Sequence, residues 1–222
     1  EAMNRDQFIK TLSRRVLDIS FRHHLSHIGS CLTVLPILYD IYLNLGEGDR
    51  VILSAGHGGL ALYVVLEHFG WLPDAEATLV RDGIHPTRNV EEHIDCSTGS
   101  LGQGITVGVG MALARPENQV YVVSTDGEMA EGSWWESVYF ARGHHMTNLI
   151  IHVNVNGWTA LQEAPRDTKQ HFTSMVPISH VILHSTGLSV PHHLPWFFGL
   201  EQHYHVMTEP EYREIDAYYA AL

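Results

Sequence analysis

Short apolar segments that alternate with amphipathic ones constrain the fold of this chain more than any other feature. The clearest apolar runs are residues 51–54, 119–124, 148–153 and 178–184. Each run is nearly continuous, and strands that are apolar along their whole length are typical of parallel sheets buried on both faces. The sequence therefore predicts an α/β fold in which a parallel β-sheet carries helices on both faces.

Helical periodicity fills the intervals between these strands, with apolar residues recurring every three to four positions. The predicted helices cover residues 4–23, 33–45, 60–69, 102–114, 129–142 and 209–221, the last with Thr208 as its N-cap. Residues 72–96 and 156–176 are predicted to be mostly loop. No internal repeat divides the chain, so residues 1–222 are predicted to form a single domain, with residues 1–3 interpreted as a cloning remnant before a native start at Met3.

Composition excludes several classes of function. The 222 residues contain 25 acidic and 13 basic side chains, a net charge of −12, so neither nucleic acid nor a membrane is an expected partner. The longest uncharged stretch, residues 97–114, is too rich in glycine and hydroxyl groups for a membrane span. Cys31 and Cys96 are interpreted as reduced thiols of a cytoplasmic protein, with a single disulfide as the alternative.

Polar side chains follow two successive predicted strands. Asp126 and Gly127 come after residues 119–124, and Asn156 comes after residues 148–153. In a parallel α/β sheet, ligands bind beyond the carboxyl ends of the strands, and a following helix N-terminus favours an anion. A carboxylate and an amide oxygen there suit Mg²⁺ bridged to phosphate, with Gly127 allowing close approach to the backbone. The alternative is a pair of ordinary Asp-Gly and Asn-Gly turns.

Histidine and glycine are both abundant, with 17 histidines and 19 glycines. None of the histidines shows the spacing of a zinc site, and most are interpreted as surface residues. Gly104 and Gly108 share one predicted helical face with Ala112, which favours close helix packing, with a subunit interface as one location.

Six segments of the chain form an ordered set of motifs. They are 26–29 (SHIG), 49–57 (DRVILSAGH), 83–86 (GIHP), 97–104 (STGSLGQG), 126–136 (DGEMAEGSWWE) and 203–211 (HYHVMTEPE). In this order they resemble the N-terminal, thiamine-diphosphate-binding half of transketolases. The resemblance covers residues 10–160 well and 178–215 loosely.

The resemblance implies a thiamine-diphosphate-binding fold, and it assigns roles to residues of this chain. For the metal, which is Mg²⁺ or alternatively Ca²⁺ or Mn²⁺, it implies Asp126, Asn156 and the carbonyl of Trp158 as ligands. For the cofactor, it implies contacts from His57, Gly99, Ser100, Leu101, Gly127, Glu128, Asn156 and His203. For catalysis, it implies His27, His57, His85 and His203, with His27 and His85 lining the sugar channel. It places Glu131 at a subunit interface.

The chain departs from the family pattern at three places. Thr125 stands where the family has the first glycine of its GDG motif, and Ser26 replaces a glycine before His27. Only 21 residues separate Asn156 from Ile178, where the family carries a further strand and helix, so the diphosphate-binding domain is predicted to be slightly truncated.

The resemblance also implies a second polypeptide. Nothing in the 222 residues corresponds to the pyrimidine-binding domain, whose glutamate activates the cofactor, or to the C-terminal domain. We therefore expect the diphosphate-binding subunit of a two-component enzyme, assembled as an α₂β₂ heterotetramer, that transfers a two-carbon ketol unit from a ketose phosphate. One alternative passes a two-carbon acyl unit to a lipoyl or acyl-carrier protein, as 2-oxo-acid dehydrogenase first components do. Another is a non-catalytic partner that retains the fold.

Overall fold

A four-stranded parallel sheet forms the centre of the molecule, as the apolar runs predict. The computed structural model describes residues 4–159, 161–164, 180–185, 191, 194–197, 199 and 203–221. The strands are β1 (Arg50–Leu53), β2 (Val120–Thr125), β3 (Leu149–Val155) and β4 (Val181–Ser185). They pair in the order β1-β2-β3-β4, and every pair is parallel.

Seven helices surround this sheet within the described residues. They are α1 (Arg5–Arg22), α2 (Ile28–Leu43), α3 (Gly59–His68), α4 (Ala75–Asp82), α5 (Gln103–Ala114), α6 (Gly132–Gly143) and α7 (Glu209–Ala221). Short 3₁₀ turns occur at Gly56–Gly58, Val90–Glu92, Glu128–Ala130 and Pro195–Phe197. None of the described helices is long and apolar enough to cross a membrane.

Neighbouring residues of β1 and β2 enter different cores: in β2, Val122 packs with residues of α5 and α6, and Val123 packs with residues of α1, α2 and α3. Val51 and Leu53 of β1 pack with residues of α1, α2 and α3, whereas Ile52 packs with residues of α5 and α6. This alternation follows from the pleat of a strand, which points successive side chains to opposite faces. Because both faces are covered by helices, the predicted architecture is confirmed.

Three helices differ from the sequence prediction. Helix α6 begins at Gly132 instead of residue 129, and the 3₁₀ turn Glu128–Ala130 precedes it. Helix α2 begins at Ile28, five residues before the predicted start, because it is buried on nearly all sides and therefore has no clear polar face to mark its first turn. Helix α4 lies in a segment predicted to be loop. The side chain of Asp74 caps it by accepting the N–H groups of Glu76 and Ala77 at 2.8 and 3.1 Å.

The glycines of α5 pack against the sheet of this same chain. A Cβ on Gly104 would lie 2.5 Å from the Ser54 Oγ, and one on Gly108 would lie 2.4 Å from the Val122 Cγ2. Close packing is therefore the role of this face, but the partner is the sheet rather than a second protein chain. Cys31 and Cys96 are both free, which removes the disulfide alternative.

The predicted strand 178–184 corresponds to β4, and residues 178 and 179 lie outside the described part of the chain. Most of the predicted loop 156–176 also lies outside it. The predicted last helix, 209–221, coincides with α7, and the carbonyl of Thr208 accepts the N–H of Tyr212 at 2.9 Å in its first turn.

Candidate active site

A cleft of about 200 Å³ opens at the edge of the sheet where β2 and β3 end. Half of its lining residues come from the end of β2 and from the segments that directly follow β1, β2 and β3, as expected for ligand sites in parallel sheets. The lining residues are His27, His57, His85, Gly99, Leu101, Thr125, Gly127, Asn156, Trp158, Thr159, His203 and Tyr204. All four histidines that the resemblance singled out are therefore brought together at one place.

Three of these histidines pack ring against ring. The ring centroids of His27 and His203 are 4.4 Å apart, and His57 lies 5.4 Å from His27 and 5.3 Å from His203. His85 approaches from the opposite loop, where a Cβ on Gly99 would lie 3.1 Å from its Cδ2 atom. The glycine at position 99 thus makes room for an imidazole in the wall of the cleft.

Burial favours the neutral form of His27, His57 and His203. Desolvation, followed by repulsion from the neighbouring histidines, lowers the pKa of His57 to about 3 and that of His27 to about 4. Desolvation also lowers the pKa of His203. A neutral imidazole carries one N–H donor and one acceptor, so each ring can donate to an anion and exchange a proton with a ligand.

His27 leaves a polar atom unsatisfied. Its Nδ1 is buried and has no hydrogen-bond partner within the described structure. The residue also adopts a left-handed backbone conformation, with φ of 63°, which is uncommon for residues other than glycine. The backbone N–H of His27 donates to the backbone carbonyl of His203 at 3.1 Å, which connects the segments around these two residues. A buried orphan of this kind on strained backbone is characteristic of a ligand-binding position.

Asp126 lies directly behind the cleft, beside Gly127. Its Oδ1 accepts the N–H of Gly127 at 3.1 Å, and its Oδ2 accepts the N–H of Gly157 at 2.7 Å. The side chain is only 3% exposed, and it has no ion pair with any residue that the structure describes. Burial raises the pKa of Asp126 to about 6. Among the described residues, no basic side chain therefore offsets the burial of this carboxyl group.

Neutral oxygens complete the set that a hard cation needs. The Oδ1 of Asn156 accepts the N–H of Trp158 at 3.0 Å, and the carbonyl oxygen of Trp158 lies 3.3 Å from where a Cβ on Gly127 would stand. The described residues contain no cluster of three histidine, cysteine or acidic side chains suited to a metal. A metal here would therefore depend on one carboxylate, neutral oxygens and the ligand's own phosphate, which is a combination that Mg²⁺ accepts.

Two residues predicted to contact the cofactor lie elsewhere. Ser100 is exposed and is not part of the cleft wall. Glu128 is completely buried, and its Oε1 accepts the Ser54 hydroxyl at 2.6 Å and the Gly102 N–H at 2.9 Å, while its Oε2 accepts the Thr125 N–H at 3.3 Å. The side chain of Glu128 therefore joins three segments behind the cleft instead of facing into it.

Sequence reasoning missed Tyr204 and Thr159 in the cleft wall. The ring of Tyr204 lies 5.6 Å from that of His27 and is 61% exposed, so it borders the mouth of the cleft. Its position directly after His203 was the only available signal. Glu131, predicted at a subunit interface, is exposed immediately before helix α6.

The fold and the cleft together define an α/β protein with a cleft at the carboxyl edge of a parallel sheet. Comparison with known proteins identifies the family: the sequence profile described as "Transketolase, thiamine diphosphate binding domain" matches residues 41–182. The chain therefore belongs to the transketolase family as a thiamine-diphosphate-binding domain, and the resemblance read from its motifs is confirmed.

Curated relatives include single components of transketolases that are built from more than one polypeptide. The chain is 38% identical to the 6-deoxy-6-sulfo-D-fructose transketolase subunit SqwG of Clostridium sp. (strain MSTE9), over 59% of this chain and 54% of that protein. It is 35% identical to an apulose-4-phosphate transketolase subunit of Phocaeicola vulgatus, over 64% and 57% of the two chains. The matches thus span about half the length of these relatives.

Solved structures support the fold. A transketolase variant from Pichia stipitis superposes with a TM-score of 0.68 at 24% sequence identity, over 77% of this chain and 30% of that one. At this level of identity the likeness shows the shared fold alone.

Proposed function

We propose that this chain is the diphosphate-binding subunit of a two-component, thiamine-diphosphate-dependent transketolase-type enzyme. The observation that carries the proposal is the cleft itself, which is lined by four histidines together with Gly127 and lies beside the buried carboxylate of Asp126. The names of two relatives, each a transketolase subunit, support a two-component enzyme. The proposed reaction moves a two-carbon ketol unit from a ketose phosphate to an acceptor.

Each group in the cleft has a role in this proposal. Asp126, Asn156 and the carbonyl of Trp158 would hold Mg²⁺, or Ca²⁺ or Mn²⁺ in its place, and Gly127, His57 and His203 would bind the diphosphate. His27 and His85 would face the sugar, where a neutral imidazole can donate to a hydroxyl or accept its proton. The bound cofactor supplies the electron sink for the two-carbon unit.

A second polypeptide would supply the pyrimidine-binding and C-terminal domains, in an α₂β₂ assembly located in the cytoplasm. Both relatives are named as transketolases, one of a sulfofructose and one of apulose 4-phosphate, and both of these sugars are ketoses. Transketolase-type transfer from a ketose is therefore preferred to acyl transfer to a lipoyl or acyl-carrier protein.

Calorimetric titration of thiamine diphosphate into the native assembly, with and without Mg²⁺, tests the metal and cofactor site. We expect Mg²⁺-dependent binding that Asp126→Asn weakens by about 100-fold, which is ~2.7 kcal/mol. Glu47→Gln is the control, because Glu47 is an exposed acid that precedes the amino end of β1, whereas the cleft lies at the carboxyl edge of the sheet. An assembly that binds no cofactor, or an Asp126→Asn variant that binds as tightly as the parent, would contradict the proposal.

A further inference from the structure

Thr125, the last residue of β2, has a hydroxyl that accepts a hydrogen bond but donates none within the described structure. The side chain is 4% exposed and forms part of the cleft wall. Its Oγ1 accepts the N–H of Glu128 at 3.3 Å, while its own backbone N–H donates to the Glu128 carboxylate at 3.3 Å. The hydroxyl hydrogen has no acceptor within the described structure. Since hydroxyls in buried positions normally use both functions, the hydrogen is available to a ligand.

The position of this hydroxyl is closely fixed. Threonine is β-branched and therefore stiff about χ1. The Asp126 N–H donates to the carbonyl of Asn154 at 3.1 Å, so the strand end that carries Thr125 is itself paired. The Oγ1 lies 3.5 Å from where a Cβ on Gly127 would stand, and the Trp158 carbonyl lies 3.3 Å from the same point. The hydroxyl thus borders the groove that the missing side chain of Gly127 leaves open.

We propose that Thr125 is a binding residue for the diphosphate, to which its Oγ1–H donates while its lone pair keeps the Glu128 N–H. This inference rests on the proposed function, because it requires a diphosphate in the groove beside Gly127. The ligand class is an organic diphosphate, and the hydroxyl recognises its anionic oxygens. A purely structural role would require only that the Thr125 Oγ1 accept the N–H of Glu128, the first residue of the 3₁₀ turn Glu128–Ala130.

Three variants of the native assembly separate the two roles, with inorganic pyrophosphate plus Mg²⁺ and thiamine diphosphate as probes. Hydrogen bonds to charged groups predict that Thr125→Val weakens both probes by about 10- to 100-fold, whereas Thr125→Ser, which keeps the hydroxyl, stays within about threefold. Thr78→Val is the matched control, since Thr78 is buried in α4 and donates to the Asp74 carbonyl at 2.9 Å. It should lower the melting temperature and leave both affinities unchanged.

The outcomes distinguish this inference from the function on which it rests. If the parent protein binds neither probe, the proposed function itself is wrong. If the parent binds both and folded Thr125→Val binds them within twofold, the hydroxyl is only a cap and the inference is overturned. Should Thr125→Val fail to fold, Thr125→Ser and Thr125→Gly are compared: the inference requires that serine bind at least about tenfold more tightly than glycine.

Discussion

The molecule contains two groups of half-buried histidines, and the ring nitrogens of the two groups differ in their hydrogen-bond partners. The cleft histidines are His27, His57 and His203, and the sheet histidines are His152 of β3 and His184 of β4. In both groups, desolvation is the main cause of a lowered pKa, to about 4 for both His27 and His152. Both groups also border a cavity, of about 200 Å³ for the cleft and about 130 Å³ beside the sheet histidines.

The groups differ in how their ring nitrogens are satisfied. The Nδ1 of His152 and the Nε2 of His184 are 2.8 Å apart, so one ring donates to the other. In the cleft the rings contact one another edge to face, and the buried Nδ1 of His27 has no partner within the described structure. A lowered pKa therefore does not distinguish a functional histidine here, whereas an unsatisfied nitrogen does. The sheet histidines hydrogen-bond to each other, whereas the Nδ1 of His27 in the cleft is available to a ligand.

The largest expected difference between the groups is in catalysis. Replacing a side chain that exchanges protons with a substrate typically costs 10²–10⁴-fold in rate. We expect His27→Asn, which suits the left-handed backbone at that position, to lower two-carbon transfer by about 10²-fold or more. His184→Asn should change it by less than about twofold. Turnover of the native assembly with saturating thiamine diphosphate measures both, and equal losses in the two variants would remove the distinction between the groups.

The fold was largely predictable because its signals are local. Continuous apolar runs located all four described strands, and periodicity located most helices. The cap at Asp74 was also present in the sequence, but it was overlooked beside a loop-like composition. The strand order β1-β2-β3-β4 was not accessible, because pairing between strands joins residues far apart along the chain.

The site was predictable only where a motif marked it. Asp126 and Glu128 stand two positions apart after the same strand, and the sequence assigned Asp126 to the metal and Glu128 to the cofactor. The 3₁₀ turn after β2 instead directs Glu128 towards Ser54 and Gly102, and a contact of this kind depends on three segments that meet only in the folded chain. Tyr204 and Thr159 lie in loops without periodicity, so apart from the position of Tyr204 next to His203 nothing in the sequence indicated that they face the cleft.

Folding stability should show the opposite ranking of the two groups. His184→Ala leaves the ring nitrogen of His152 without its partner, which is expected to cost about 1–3 kcal/mol in the free energy of unfolding. His27→Asn removes an atom that is already unsatisfied, so it should cost less than about 0.5 kcal/mol. Urea denaturation without ligand measures both values. The double variant His152→Leu, His184→Leu is the control: it should recover part of the loss, since removing both partners leaves no orphan. A larger loss for His27→Asn than for His184→Ala would contradict this account.

The smallest expected effect concerns pH. Because the folded pKa of His57 is about 3, below the ordinary value of 6.5, the unfolded chain binds the proton more readily. Stability from this group is therefore complete above about pH 6.5 and is lost as the pH falls towards the folded pKa. Between pH 7 and pH 5.5 the free energy of unfolding should fall by about 1 kcal/mol less in His57→Gln than in the parent. Denaturation at the two pH values measures this difference.

The sheet histidines should give a similar pH dependence, so ligand is needed to separate the groups. Bound pyrophosphate favours protonated imidazole nearby. It should therefore reduce the contribution of the cleft histidines to the pH dependence of stability and leave the contribution of His152 and His184 unchanged. The comparison uses His57→Gln and the double leucine variant, each with and without pyrophosphate and Mg²⁺. In each variant, the measured quantity is the pH dependence of the free energy of unfolding. If pyrophosphate reduces it as much in His57→Gln as in the double leucine variant, the anion does not act through His57.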